Sequence, residues 1–194
     1  PNEFSRYIEP FVGGGAVFFH LSEKITAQQI PSVINDINPE LVNCYQMVKT
    51  QTDDLISLLK THKHDKNYYL EIRNLDRQEG GLSVLSPLER ASRFIYLNRT
   101  GFNGMYRVNS KGLNNVPFGR YKNPSIVNED VLRASAKALI DTQISNQSFQ
   151  DCLSNARKGD FVYLDPPYVP LNQTSYFTSY MINGFTMTDQ KSLA

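Results

Sequence analysis

Apolar residues recur along this chain with two periods. Short apolar runs bounded by turn residues predict strands at Arg6 to Phe11, at Ser32 to Asn35 and, more weakly, at Gln143 to Asn146. Phe161-Val162-Tyr163-Leu164 predicts a buried strand that stops at Asp165-Pro166-Pro167-Tyr168. Other stretches repeat apolar side chains at helical spacing. Ala16 to Leu21 opens one helix. Leu41, Val42, Tyr45 and Val48 line another, with Pro39 at its first position. A third opens at Asp53-Asp54 and carries Leu55, Ile56, Leu58 and Leu59, and Tyr68 to Leu75 gives a fourth. Ser86-Pro87-Leu88-Glu89 is a capping-box sequence, and its helix runs through Phe94, Ile95 and Leu97 toward Gly101. Tyr106 to Pro117 predicts a hairpin tipped by Asn109-Ser110-Lys111-Gly112. Asn128 predicts a cap for a helix through Leu139. Gly159 predicts the end of a short helix, and Thr188-Asp189-Gln190 the start of a last one.

Strand–helix units therefore lie at both ends, with a helical insert and a hairpin between them. The expected fold is α/β: a doubly wound, Rossmann-like sheet domain over 1–50 and 138–194, interrupted by an inserted lobe over 51–137. The 194 residues suffice for one core and a small second one. A doubly wound sheet usually has more strands than the four found here, and the sequence starts almost on its first strand. The expectation is a fragment of a longer protein.

Composition narrows the class. No apolar run approaches the roughly 20 residues of a membrane span, and no charged-then-apolar leader gives an expectation of secretion. Cys44 and Cys152 are far apart, which fits two structural thiols in a reduced, intracellular setting. His20, His62 and His64 form no metal-ligand spacing, and the last two read as solvated. The net charge of +1 is uninformative, but its distribution is not. From Ala91 to Asn128 there is no acidic residue, while Arg93, Arg99, Arg107, Lys111, Arg120 and Lys122 all occur. With aromatics and amides interleaved, this predicts either a polyanion-binding face or a solvated surface.

Gly13-Gly14-Gly15 falls between the first strand and its helix. Glycines there let backbone approach a ligand and aim the free amides of a helix start at it. The spacing matches neither the phosphate-cradling loop nor Gly-x-Gly-x-x-Gly. Asp36 ends the next strand about 20 residues later, the offset of a ribose-binding acid in nucleotide-binding sheets. Its alternative is a helix cap beside Pro39. A glycine turn without the phosphate pattern, joined to a ribose acid, suits a nucleoside ligand lacking pyrophosphate, and S-adenosylmethionine is such a ligand. Asp165-Pro166-Pro167-Tyr168 adds a stiff shelf at a strand's carboxyl end. It offers a carboxylate and carbonyls to an amino group and a ring for stacking, as an enzyme acting on a nucleobase amine requires.

Taken together, Glu9-Pro10-Phe11-Val12-Gly13-Gly14-Gly15, Asp36, Asn103-Gly104-Met105-Tyr106-Arg107, Asn115-Val116-Pro117-Phe118-Gly119-Arg120-Tyr121 and Asp165-Pro166-Pro167-Tyr168 resemble the Dam-type, alpha-class adenine-N6 DNA methyltransferases. These are bacterial and phage enzymes acting at GATC, some paired with a restriction endonuclease. The resemblance implies a cytoplasmic, monomeric protein with no metal, S-adenosylmethionine as methyl donor and double-stranded DNA as partner. It implies that Pro10, Phe11, Gly13 and Gly15 wrap the donor's methionine part, that Asp36 holds its ribose and that Phe149 packs on its adenine. Asp165, which would also touch the donor, Pro166 and Tyr168 would be catalytic. Asn109, Lys111 and Pro117 would read bases, with Asn103 beside them, and Arg99, Arg107 and Arg120 would meet phosphates or brace the lobe. The sequence departs from the family in lacking the amino-terminal Gly-Lys segment and strands beyond the catalytic motif. Ser148 stands where an acid often precedes the phenylalanine, and Val108 where some relatives carry an intercalating aromatic. A methyltransferase acting on an RNA base and a non-catalytic DNA-binding relic remain alternatives at this point.

Overall fold

The computed structural model of the chain describes residues 3–167 and 185–193. Four strands form one parallel sheet: β1 Arg6–Glu9, β2 Ser32–Asn35, β3 Thr142–Ser145 and β4 Asp160–Val162, in the order β3-β2-β1-β4. β1 is central, with Ile8 in register with Val33 on one side and Val162 on the other. The chain steps outward from β1 to β2 to β3, then returns past both to β4. Right-handed crossovers send the segments after such a reversal to opposite faces and open a crevice at the strands' carboxyl ends. Pro10 and Asp165 leave β1 and β4 at that crevice.

Tyr7, Ile8 and Glu9 on β1 are buried, as a strand flanked on both edges should be. β4 departs from its expected burial: it is the sheet's edge among the described residues, so Phe161 and Val162 are only half-buried and Leu164 is exposed.

Eight α-helices are described: α1 Ala16–Ala27, α2 Pro39–Thr50, α3 Thr52–Leu59, α4 Lys66–Asn74, α5 Pro87–Thr100, α6 Glu129–Leu139, α7 Phe149–Leu153 and α8 Met187–Leu193. Their starts follow from local chemistry. The Asn38 side-chain oxygen accepts from the Glu40 and Leu41 amides, with Pro39 inside the first turn. Ser86 and Glu89 form the reciprocal capping box of α5, and Asn128 caps α6. One boundary differs from expectation. α7 ends at Leu153, and Gly159, at φ +99°, instead turns the chain into β4, a conformation that favours glycine.

Tyr7, Phe18, Ile34, Val48 and Leu139 form the main core together with Leu55, Leu59 and Ala91 of α3 and α5. Tyr69, Tyr96 and Leu97 make a second cluster, joined by Phe118 and Ile126. His62 belongs beside it and is not solvated as expected. Its ring stacks on Tyr96 at 4.3 Å, and its two nitrogens meet Tyr68 Oη and Ser92 Oγ at 2.9 Å each. Burial pulls its pKa down to about 4. Among the described residues no helix is long and apolar enough to cross a membrane, and no group of three or more His, Cys, Asp or Glu could hold a metal.

Candidate active site

The three glycines have different jobs. Gly13 has φ +47°, and a Cβ on it or on Gly14 would meet nothing within 4 Å, so this backbone is open. A Cβ on Gly15 would sit 2.8 Å from Tyr45 Oη and 2.9 Å from the Phe19 ring, so Gly15 serves the packing of α1. Tyr45 Oη also donates to the Gly13 carbonyl at 2.8 Å, which pins the turn from below.

Asp36 is not the helix cap, since Asn38 fills that position. Asp36 Oδ2 accepts from the Gly13 N–H at 3.1 Å and Oδ1 from the Asn38 N–H at 2.8 Å, tying the end of β2 to the glycine turn. Burial raises its pKa, and these amides work against the rise.

Asn35 holds the floor together, and the sequence reasoning passed over it. It is buried, and its amide donates to the Pro10 and Gln147 carbonyls at 3.0 Å each. Its carbonyl accepts from Ser145 Oγ at 2.9 Å and the Gln147 N–H at 3.1 Å. One side chain at the end of β2 thus joins the loop after β1 to the end of β3. A polar residue closing an apolar strand was the available signal. Ile37 and Phe185 were also missed. Ile37 is a large apolar residue exposed beside Asp36. Phe185 completes a cluster of three rings with Phe11 and Phe149, at centroid separations of 5.4 to 5.8 Å.

Beneath this floor lies Glu9, 2 % exposed. Burial, helped by the charge of Asp165, pushes its carboxyl up to about 7. A hydrogen bond from Tyr7 Oη at 2.7 Å and one from the Phe18 backbone oppose the shift.

One cleft of about 1450 Å³ gathers these parts. Its walls include Pro10, Phe11, Gly13, Gly14, Asp36, Ile37, Phe149 and Phe185, together with Asp165, Pro166 and Pro167. They continue through Arg99 of α5 and Asn103, Tyr106, Val108 and Asn114 beyond it. Asp165 is exposed. Tyr168 lies outside the described residues.

Arg107, Asn109, Lys111, Pro117 and Arg120 stand outside these walls. The hairpin exists as an antiparallel bridge, Val108 to Asn114, around a tip closed by Asn109, whose side-chain oxygen accepts from the Lys111 and Leu113 amides at 3.0 Å each. Arg107 braces that hairpin, donating to Asn115 Oδ1 at 2.7 Å and to the Asn115 carbonyl at 3.2 Å. Lys111, Pro117 and Arg120 are exposed. Arg93 leaves the expected basic face: it is buried against Asp76.

The family model for D12 class N6 adenine-specific DNA methyltransferases matches residues 1–194. The chain belongs to this family. It is 45% identical to the Type II methyltransferase M1.LlaDCHI of Lactococcus lactis subsp. cremoris over 197 residues, covering 100% of this chain and 67% of that protein. Identity is 41% to the Type II methyltransferase M.MjaIII of Methanocaldococcus jannaschii, with 97% of this chain and 67% of the relative covered. It is 39% to a DNA adenine methylase of Serratia marcescens, with 96% and 66% covered. This D12 methyltransferase chain thus spans about two thirds of the length of these relatives. Its reaction class is methyl transfer to the adenine N6 amine of DNA, which sets aside the RNA-base alternative.

Proposed function

We propose that the complete enzyme transfers a methyl group from S-adenosylmethionine to adenine N6 within GATC in duplex DNA, with Asp165 at the reacting centre. The observation that supports this is the shared cleft: the open backbone of Gly13 and Gly14, the acid Asp36 and the shelf Asp165-Pro166-Pro167 all face one space. These residues fit such a donor. Gly13 and Gly14 leave room for a ligand against the main chain, Asp36 is placed to accept from ribose hydroxyls, and Ile37 with the Phe11, Phe149 and Phe185 rings offers apolar surface to a purine.

When bound, the donor supplies an electrophilic methyl group. The chain's own part is to prepare the amine. The adenine amino lone pair is delocalised into its ring, and the atom is unreachable inside a duplex, so the base must be flipped out at a cost of a few kcal/mol. Asp165 and the Pro166 carbonyl accept hydrogen bonds from the two amine hydrogens, which draws the nitrogen toward tetrahedral geometry and frees its lone pair. Tyr168 stacks on the flipped ring. Positioning by a proline-stiffened shelf supplies much of the barrier reduction, and the Asp165 carboxylate stabilises the positive charge that develops on nitrogen.

The test is Asp165→Ala in the complete enzyme. Methyl transfer should fall by at least about 10³-fold, roughly 4 kcal/mol of transition-state stabilisation, with duplex binding nearly unchanged. Turnover near the wild-type rate would remove Asp165 from the chemistry. Plasmid DNA protected from methylation-sensitive digestion at GATC, and not at other sequences, tests the site itself.

A further inference from the structure

The return arm of the hairpin is gripped from behind. The Asn114 N–H donates to Asp76 Oδ2 at 2.8 Å, and the Asn114 carbonyl accepts from Arg77. The Val116 carbonyl accepts from Tyr69 Oη at 3.0 Å and from Arg73 at 3.1 Å. Arg93 of α5 donates to the same Asp76 oxygen at 3.0 Å and to the Ile72 and Arg73 carbonyls. Arg77 pairs with the other Asp76 oxygen. The Asp76 side chain is 6 % exposed. It is an acid within a basic lobe, where an unpaired carboxylate would repel a phosphate. Here two guanidinium groups and one amide occupy it, so its charge is spent inside the protein.

We propose that Asp76 is a positioning residue for sequence discrimination. It fixes the return arm, and through it Lys111 and Pro117, before DNA arrives. This rests on the hairpin's role in the function proposed above. The reasoning is mechanical. The hairpin has no continuous ladder to set its register, only the isolated Val108–Asn114 bridge, the Arg107–Asn115 contact and the Gly101–Phe118 bridge at its base. A hairpin free to shift can relieve a mismatch with a wrong base, whereas a fixed one leaves that mismatch unrelieved. Phosphate contacts elsewhere are indifferent to such a shift because they carry no sequence information.

The experiment measures kcat/KM for methylation by the complete enzyme on a GATC duplex and on duplexes with each single-base change. Affinity for a site-less duplex is measured across a salt series. Asp76→Asn keeps the side chain's size and removes the charge that holds Arg77 and Arg93. The ratio between GATC and altered duplexes should fall about tenfold, with site-less affinity and its salt slope unchanged. Arg77→Met attacks the same grip from its exposed side and should shift the ratio in the same direction by less, which keeps the idea testable should Asp76→Asn fold poorly. A folded variant with the wild-type ratio, or with equal rate loss on every duplex, overturns the proposal. A wild-type enzyme indifferent to sequence would instead overturn the hairpin's recognition role, a result read before any variant is made.

Discussion

The two walls of the cleft are held by different means. On the sheet side, the parallel ladder places Pro10 after β1, Asp36 after β2 and Asp165 after β4, and Asn35 adds hydrogen bonds between the loops. On the hairpin side no ladder runs. The hairpin keeps its shape through side chains of Tyr69, Arg73, Asp76, Arg77 and Arg107, and through Asn109 at its tip. Backbone pairing suits chemistry, because reacting groups tolerate errors of only about half an ångström. Side-chain bracing suits recognition, because a few substitutions can re-aim a loop without moving the reacting groups.

The sharpest way to break that contrast is Arg93→Met. Arg93 is buried, pairs with Asp76 and caps the Ile72 and Arg73 carbonyls. Burial depresses its pKa, and the Asp76 charge restores part of the loss. Removing one partner leaves a buried carboxylate less compensated, at a cost of about 3–5 kcal/mol. Urea unfolding should register this loss. Hydrogen exchange should show amides of 113–116 opening well before those of β1 and β2. Uniform opening of both walls would mean that the hairpin does not depend on its braces.

The next effect belongs to the sheet side. Glu9 holds its proton up to about pH 7 in the folded chain, whereas an unfolded glutamate releases it near its ordinary value of 4.5. The folded state therefore binds more protons across that interval. Stability contributed by protonated Glu9 is complete below it and is lost as pH rises through about 7. Glu9→Gln cannot ionise. Between pH 5 and pH 8 the difference in unfolding free energy should move in favour of the glutamine variant by about 2–3 kcal/mol. Equal pH slopes for the two proteins would place the titration elsewhere.

The same contrast explains what the sequence revealed. The sheet side was legible because its chemistry is local: a glycine run, an acid about 20 residues on, and a proline pair after an apolar strand. Pro39 and Ser86 announced their helices for the same reason. Arg93 and His62 were misread because burial is a property of the packed chain. Nothing beside Arg93 in sequence reveals that Asp76, on another segment, will neutralise it, and His62 becomes apolar in behaviour only once Tyr96 stacks on it. Asn35 was passed over because its hydrogen-bond partners, Pro10, Ser145 and Gln147, lie after β1 and at the end of β3, far from it in sequence.

The smallest effect falls at the hairpin's tip. Lys111 is exposed, and its backbone N–H is taken by Asn109 while its ammonium faces solvent-accessible space. Lys111→Ala removes no packing, so unfolding free energy should stay within about 0.5 kcal/mol of wild type. Its consequence depends on what the ammonium meets. A lysine that reads a guanine edge contributes roughly 1–2 kcal/mol of discrimination at one base pair, so kcat/KM should fall on GATC and hold on a duplex altered at that pair. A lysine that meets phosphate lowers affinity for every duplex alike and reduces the salt slope by about one. Because the tip is built by Asn109 and Gly112 and not by Lys111, either outcome leaves the hairpin intact, and the measurement reports the contact alone.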